Sequence, residues 1–484
     1  MSKRLQAVII GAGFAGIGMA IALKRAGVND FVILERASEA GGTWRDNTYP
    51  GCACDIPSML YSYSFAPNPE WTRTYPRQDE IWRYVRACMA RFGIEPHVRY
   101  NTEVTALRYD DGERSWSVET RGGDRYEGRI AVAGLGGLSN PSIPAIDGLG
   151  TFAGPVFHSA QWRHDVDLRD RRIAVVGTGA SAIQFVPEIA PVVRQLTLFQ
   201  RTPPWIIPRH DRTVSRIARF LRRMPLVSRL VRAAIYCSLE ARALGFVTDP
   251  RLLAIGERAA LAHLRAQVAD PALRAKLTPS YRMGCKRALI SSDYYPALCR
   301  DNVRLITTPI RAVRPHGVLT EDGVEHAADV LILGTGFRAQ SFVSPVEVYG
   351  REGISLERTW SERPRAYLGI VTAGFPNLFF LVGPNTGLGH NSMIVMIEAQ
   401  IAFVMSALRL LRERGVDAVD VSPAAEAAFL DEIEARSAGT VWTTGCSSWY
   451  LDEHGRNTAI WPGFTVEYRK RTRRIDPADF VLYG

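Results

Sequence analysis

Along the chain, short apolar runs alternate with glycine clusters and longer apolar segments, and the order repeats. AVII (7–10) runs into Gly11-Ala12-Gly13-Phe14-Ala15-Gly16, and IGMAIALKRAG (17–27) follows, apolar over most of its length and closed by Gly27. A short apolar run ahead of glycines predicts a buried strand, and a longer one ending in glycine predicts a helix with its C-cap. FVIL (31–34) predicts the next strand, and Glu35 ends it. The same order returns as RIAVV (172–176), Gly177-Thr178-Gly179-Ala180-Ser181-Ala182, a segment readable as a helix despite Pro187, and the strand LTLFQ (196–200). Two further strand-like runs, RIAVAGLGG (129–137) and DVLILGTGF (329–337), are expected to return the chain to the first sheet.

This pattern predicts an α/β fold with two Rossmann-like dinucleotide-binding domains. The first takes residues 1–150 and 330–484, and the second, residues 151–329, is inserted into it. Within the insert, residues 209–277 are rich in Arg, Leu and Ala and predict a helical excursion. TVSRIARFLRRMPLVSRLVRAAIY mixes aliphatic residues with six Arg, which predicts helices covering a site with a solvated Arg face; contact with a membrane surface is the alternative.

The glycine loops carry the first chemistry. Gly11, Gly13 and Gly16 between a strand and a helix let backbone approach a pyrophosphate, with helix N-terminal amides aimed at it. A carboxylate at the end of the next strand, Glu35, accepts the hydroxyls of an adenosine ribose. In the second unit the residue at the same offset of 24 positions is Arg201. A carboxylate repels a ribose 2′-phosphate and a guanidinium binds it, so the first loop suits FAD and the loop Gly177–Ser181 suits NADPH.

Composition narrows the class. The 484 residues carry a net charge of +10 with 46% hydrophobic and 22% charged residues, an ordinary globular balance. Only 5 of the 59 basic residues are Lys, and no nucleic-acid motif accompanies the charge, which reads as a solvated basic surface with some anion sites. No run of 18 apolar residues and no signal-peptide pattern is present, so the expectation is a cytoplasmic enzyme without a membrane span. The seven Cys show no zinc spacing, and Cys52 and Cys54 stand too close for the C-x4-C pair of disulfide reductases. No metal site is expected.

Three more stretches hold candidate chemistry. In GGTWRDNTYPGCACD (41–55) paired glycines and Trp44 suit a ring system, and Asp55 is either a turn or cap carboxylate or a functional one. In YRMGCKRALISSDYYPALCRDN (281–302) the adjacent Lys286 and Arg287 need anions; a structural ion pair and a cofactor role both fit. NLFFLVGPNTGLGHNSMIVMIEAQIAFV predicts a strand, a glycine loop and a helix of about 15 residues whose N-terminus faces the flavin, with His390 as a loop hydrogen-bonder. The segment 439–464, with three Trp, predicts a core-lining hairpin or a substrate-facing wall.

Between the two loops lies FAGPVFHSAQWRHD (152–165). With GGTWRDNTYPGxxxD, FQRTP, YRMGCKR and the GFPNLFF to GPN segment, it makes the chain resemble the class B flavin monooxygenases over nearly its whole length. Among them it resembles the type I Baeyer-Villiger monooxygenases, whose fingerprint is F-x-G-x-x-x-H-x-x-x-W followed by Pro or Asp. The chain departs at one point: Arg163 follows Trp162, and Asp165 comes two residues later.

The resemblance implies an NADPH- and FAD-dependent enzyme that uses dioxygen to turn a small-molecule ketone into an ester or lactone through a flavin C4a-peroxide. It implies Arg287 as the catalytic arginine and Asp55 as its partner. Arg201, Thr202 and Lys286 would hold the NADPH 2′-phosphate. Thr43, Trp44, Arg45, Asp46, Ala53, Cys54, Asp55, Tyr61, Val104 and Met393 would lie along FAD, and His158 and Trp162 would couple domain motion to cofactor binding. The alternatives are a related oxygenase acting on nitrogen or sulfur and, from another class, an NADPH-dependent flavoprotein reductase.

Overall fold

The computed structural model describes residues 4–443, 445 and 448–484. Two sheets organise it. In the first, Leu5–Ile10 lies parallel to Phe31–Leu34 on one side and to Arg125–Ala133 on the other, and Leu378–Phe380 adds in parallel beyond Arg125–Ala133. The strands Val104–Asp110 and Ser115–Thr120 continue it as an antiparallel flap. In the second sheet five parallel strands run in the order Val303–Ile306, Gln195–Phe199, Arg172–Val176, Val330–Leu333, Val156–His158. The central strands are buried on both faces, so they read as continuous apolar runs rather than alternating ones.

One strand assignment is corrected. DVLILGTGF does not return to the first sheet: Leu331, Ile332 and Leu333 pair with Ala174, Val175 and Val176, and the same three pair with Val156, Phe157 and His158. The inserted unit therefore runs past Leu333 rather than ending at 329. The reason is local to each glycine loop. A Cβ on Gly11 would stand 2.6 Å from the Gly134 carbonyl oxygen, and one on Gly177 would stand 2.4 Å from that of Gly334. Each loop thus packs on the glycine that ends a returning strand of its own sheet, and the two returning strands serve one sheet each.

The fingerprint segment belongs to the second sheet. Phe152 is buried in the cluster with Val313, Val318 and Leu331. Gly154 lets the chain lie against Asp329, whose carbonyl oxygen would be 2.2 Å from a Cβ there. Val156–His158 then forms the edge strand.

The excursion forms four helices, Arg216–Arg222, Pro225–Ala243, Leu253–Gln267 and Pro271–Leu277. Pro225 starts the second of them, where its missing N–H costs nothing. The late helix spans Met393–Arg414, 22 residues, longer than its apolar pattern predicted because the basic turn LRLLRER continues it to Gly415. It is long and apolar enough to cross a bilayer, yet 72% of its apolar window is buried inside the protein, as in a core helix. It packs on Phe14–Arg25, where Gly18 leaves room for Ile401 and Tyr63. Residues 439–464 form no strand hairpin among the described residues; Trp442 and Trp461 are fully buried in the core, while Trp449 is exposed.

Candidate active site

The first glycine loop fits a dinucleotide. A Cβ on Gly16 would collide with the Gly11 carbonyl oxygen at 1.9 Å, so Gly16 serves the tight turn, whereas one on Gly13 would meet only ordinary contact with Gly42. The bare backbone of Gly13 leaves the approach to the loop clear. Glu35 is buried, and its Oε2 accepts the Ala12 N–H at 2.8 Å, which ties the carboxylate to the loop itself. Oε1 accepts the Ala37 N–H at 3.0 Å and Arg45 Nη1 at 2.9 Å. A ribose hydroxyl at Oε1 must therefore share that oxygen with Arg45. Arg45 also holds Asp46 through Nε and Nη2. Val104 is buried in the strand that begins two residues after Thr102, whose N–H bonds the Glu35 carbonyl.

The segment after Glu35 is a bent platform. Gly41 and Gly42 have φ of 135° and 53°, conformations that favour glycine, and lead into the single helical turn Thr43–Asp46. Trp44 Nε1 donates to Tyr61 Oη at 2.9 Å with the rings edge to face, and Asn47 donates back to the Thr43 carbonyl. Cys54 is held by its N–H on the Pro76 carbonyl. Cys52 and Cys54 are free, and burial pushes the Cys52 thiol up to about 12, so neither forms a redox disulfide and Cys52 is no thiolate.

Asp55 and Arg287 meet across 232 positions of sequence. Arg287 Nε donates to Asp55 Oδ2 at 2.8 Å, its Nη2 lies 2.6 Å from the same oxygen, and Nη1 reaches the Leu388 carbonyl at 3.4 Å. The Asp55 carboxylate outweighs burial and holds the guanidinium firmly protonated. Their side chains keep 31% and 28% of their surface accessible, so the pair is not sealed in the core. Three donors are engaged, and a guanidinium has five N–H groups, which leaves two for a reacting oxygen. Gly284, at φ 93°, turns the chain just before Lys286; a Cβ there would stand 2.8 Å from the Phe246 ring. Tyr450 closes the apolar side of the pair, buried, with its hydroxyl pushed up to about 12 by burial and without a hydrogen-bond partner among the described residues.

Lys286 and Arg201 form the second cationic group. Burial and the nearby Arg201 charge hold the Lys286 ammonium below its usual pKa, and its Nζ lies over the Tyr281 ring at 5.2 Å. Among the described residues no carboxylate lies within ion-pair distance of either. Thr178 of the second glycine loop donates to the Thr202 carbonyl, joining that loop to the strand end that carries Arg201, and Gly179 and Ala180 are exposed above it. Two adjacent unpaired cations beside a glycine loop fit a phosphate on a ribose.

The linker residues touch both units. Trp162 packs between Phe157 and Phe185, ring centroids 5.3 Å from each, and Phe185 in turn meets Tyr49 of the first unit at 6.1 Å. His164 reaches Thr48 Oγ1 at 2.9 Å. His158 is almost fully buried; its Nδ1 accepts the Ala160 N–H, which places the proton of the neutral ring on Nε2, and burial lowers its pKa. Arg163, the departure from the fingerprint, is exposed and paired with Asp165 at the surface, away from these contacts.

Several residues of the site lie outside the candidates named from the sequence. Gln184, on the helix after the second glycine loop, accepts from Tyr49 Oη at 3.0 Å and from the Ala53 N–H at 3.2 Å, and donates to the Ala53 carbonyl at 3.0 Å. Gly51 makes this approach feasible, since a Cβ there would stand 2.7 Å from the Gln184 carbonyl oxygen. Glu240 is the single carboxylate between Asp211 and Asp249, and that isolation in an Arg-rich stretch is a readable signal. It accepts Thr465 Oγ1, Asn391 Nδ2 and the Val466 N–H, and His390 Nε2 stands 3.7 Å away. The excursion helix is thereby pinned to the loop whose Leu388 carbonyl meets Arg287. Val382, just before that loop, has φ 67°, strained for a β-branched residue, and Gln400 accepts its N–H at 2.9 Å. Met393, placed along FAD by the resemblance, is the half-buried residue of an otherwise buried first turn.

Comparison with known proteins agrees with this arrangement. Residues 8–224 match a family model described as pyridine nucleotide-disulphide oxidoreductase. A Baeyer-Villiger monooxygenase of Pseudomonas aeruginosa is 47% identical over 484 aligned residues, 99% of this chain and 92% of that one. One of Streptomyces coelicolor is also 47% identical, over 99% of this chain and 93% of that one. Among solved structures, oxidized steroid monooxygenase bound to NADP superposes with a TM-score of 0.89 at 31% identity, and cyclohexanone monooxygenase from Rhodococcus sp. Phi1 bound to NADP⁺ with 0.90 at 28%, each over 100% of both chains.

Proposed function

The chain belongs to the Baeyer-Villiger monooxygenases, and on that premise we propose which of its residues carry each part of the work. It is an FAD- and NADPH-dependent flavoprotein monooxygenase that inserts one oxygen atom of dioxygen beside a ketone carbonyl, giving an ester or lactone. FAD belongs to the unit of the first sheet, on Gly11, Gly13, Gly16 and Glu35 and along the platform Thr43–Asp46, Ala53, Cys54, Asp55 and Tyr61, with Met393 at its far edge. NADPH belongs to the second, with Arg201, Thr202 and Lys286 on its 2′-phosphate. FAD, when bound, supplies the electron transfer from NADPH to dioxygen.

The chain's own contribution is charge and enclosure. Attack on a ketone moves negative charge onto the carbonyl oxygen, and Arg287 presents two unengaged N–H donors and a fixed positive charge to it. Asp55 orients the guanidinium and keeps it from collapsing onto other acceptors. Tyr450, Phe246 and Trp442 form an apolar wall near the pair, and such walls exclude water and strengthen the charge interaction. His158 and Trp162 are positioning residues, set where the edge strand of the second unit meets Phe185 and, through it, Tyr49.

The Arg287–Asp55 contact carries this reading. Replacing Arg287 with Ala, then assaying linear, cyclic, aryl and steroid ketones for NADPH consumption and oxygenated product, tests it. Ester formation should vanish with FAD still bound; undiminished ester formation would remove Arg287 from its role.

A further inference from the structure

The excursion turns an apolar, cationic face to solvent. On the helix Arg216–Arg222 the exposed Ile217, Phe220 and Leu221 are spaced i, i+3 and i+4, which puts them on one side. Met224, Leu226 and Leu230 extend that apolar surface onto the packed neighbouring helix, and all six side chains are 43% to 73% exposed. Farther along Pro225–Ala243 the exposed positions 233, 234 and 237 are Ala, Ala and Cys, so the exposed charges of this helix are Arg229 and Arg242. Seven Arg and no Asp or Glu occur between Asp211 and Glu240. Of these, Arg212, Arg216 and Arg229 are exposed, whereas Arg223 pairs with Glu70 and Arg232 donates to the Met59 and Leu60 carbonyls.

We propose that this face docks on an anionic lipid surface, with Ile217, Phe220, Leu226 and Leu230 entering the headgroup boundary and the flanking Arg meeting lipid phosphates. Charge decides against a second copy of the chain as the occupant. A two-fold contact would press this cationic face onto itself. The apolar side chains also project as separate knobs, and a headgroup boundary accepts such knobs without a shaped pocket. The helix Pro225–Ala243 carries Glu240 in its last turn, and Glu240 holds the loop beside Arg287, so docking would place the Arg287 site near membrane-dissolved ketones.

Flotation of the full-length, FAD-loaded protein tests this, with vesicles of phosphatidylcholine alone and of phosphatidylcholine mixed with phosphatidylglycerol. Binding is expected only to the mixed vesicles and should weaken as salt rises. Arg216→Ser should lower the affinity about fivefold, the effect of one basic residue near an anionic surface. Phe220→Ser with Leu226→Ser should abolish binding while FAD content and NADPH oxidation without vesicles stay unchanged. Equal behaviour on both vesicle types, or no flotation on either, overturns the proposal. So does a dimer in sedimentation velocity that the Phe220/Leu226 variant dissociates without any vesicle binding, which would make the face a contact between copies.

Discussion

Asp55 takes two donors of Arg287 on a single oxygen, Oδ2, from Nε at 2.8 Å and Nη2 at 2.6 Å. The guanidinium is thus gripped along one edge, and with Nη1 on the Leu388 carbonyl two of its five N–H groups stay free. A lysine keeps the charge but not the planar set of donors, so it cannot grip Asp55 and point at a reacting oxygen together. Arg287→Lys should retain FAD and lower ester formation about 100-fold, the scale of losing one preorganised donor at a developing oxyanion. Product yield per NADPH consumed measures it, and a rate within about threefold of wild type would count against the geometry.

Arg201 and Lys286 are adjacent cations without carboxylate partners among the described residues. A 2′-phosphate pairs with both, and NADH lacks that group. Arg201→Glu should therefore erase or reverse the preference for NADPH, mostly through KM, since the 2′-phosphate takes no part in hydride transfer. Initial rates with both nucleotides read this directly, and an unchanged preference would move the phosphate site elsewhere.

Gln184 spans the two units with three hydrogen bonds to Tyr49 and Ala53. Gln184→Leu leaves the Ala53 N–H and carbonyl without their partner in a part-buried contact. The expected cost is about 1–3 kcal/mol of stability in denaturant unfolding. If the contact couples the units, the variant should also raise KM for NADPH; unfolding at the wild-type midpoint would show it to be idle.

Much of this arrangement was legible because glycine loops and strand ends are local signals. Gly11 to Glu35 and Gly177 to Arg201 each occupy one strand, turn and helix, and the structure keeps both orders. The return of 329–337 was misplaced because an apolar run ending in glycine is the same signal in either sheet; only pairing with Arg172–Val176 distinguishes them. Asp55 and Arg287 lie 232 residues apart, so no local pattern joins them; the need of the adjacent Lys286 and Arg287 for anions makes Asp55 a candidate countercharge, and the family resemblance makes it the partner. Arg163 needed the structure: its exposure and surface pairing with Asp165 show that the fingerprint's next position tolerates a solvated residue. Arg163→Asp should accordingly change stability by less than about 0.5 kcal/mol and leave the product unchanged.

Two buried carboxylates should give opposite pH dependences. For Glu240, burial opposes ionisation, but the approach of His390 and hydrogen bonds from Thr465, Val466 N–H and Asn391 outweigh it and lower the pKa to about 2. Its folded-state value lies below the unfolded value of about 4.3, so its contribution of roughly 3 kcal/mol is complete above pH 5 and is lost as pH falls toward 2. Asp420 runs the other way. Burial raises it to about 7, and its main support is the Gly374 N–H shared between Oδ1 at 3.2 Å and Oδ2 at 3.1 Å. A carboxyl whose folded pKa is raised loses stability as pH climbs from about 4 to 7, by up to about 4 kcal/mol. Glu240→Gln should therefore lower the melting temperature at pH 7 with the gap closing toward pH 3. Asp420→Asn, which still accepts the Gly374 N–H, should gain on wild type between pH 4 and 8. Thermal unfolding of the FAD-loaded protein across that range reads both, and parallel curves for wild type and Asp420→Asn would show that Asp420 does not titrate there.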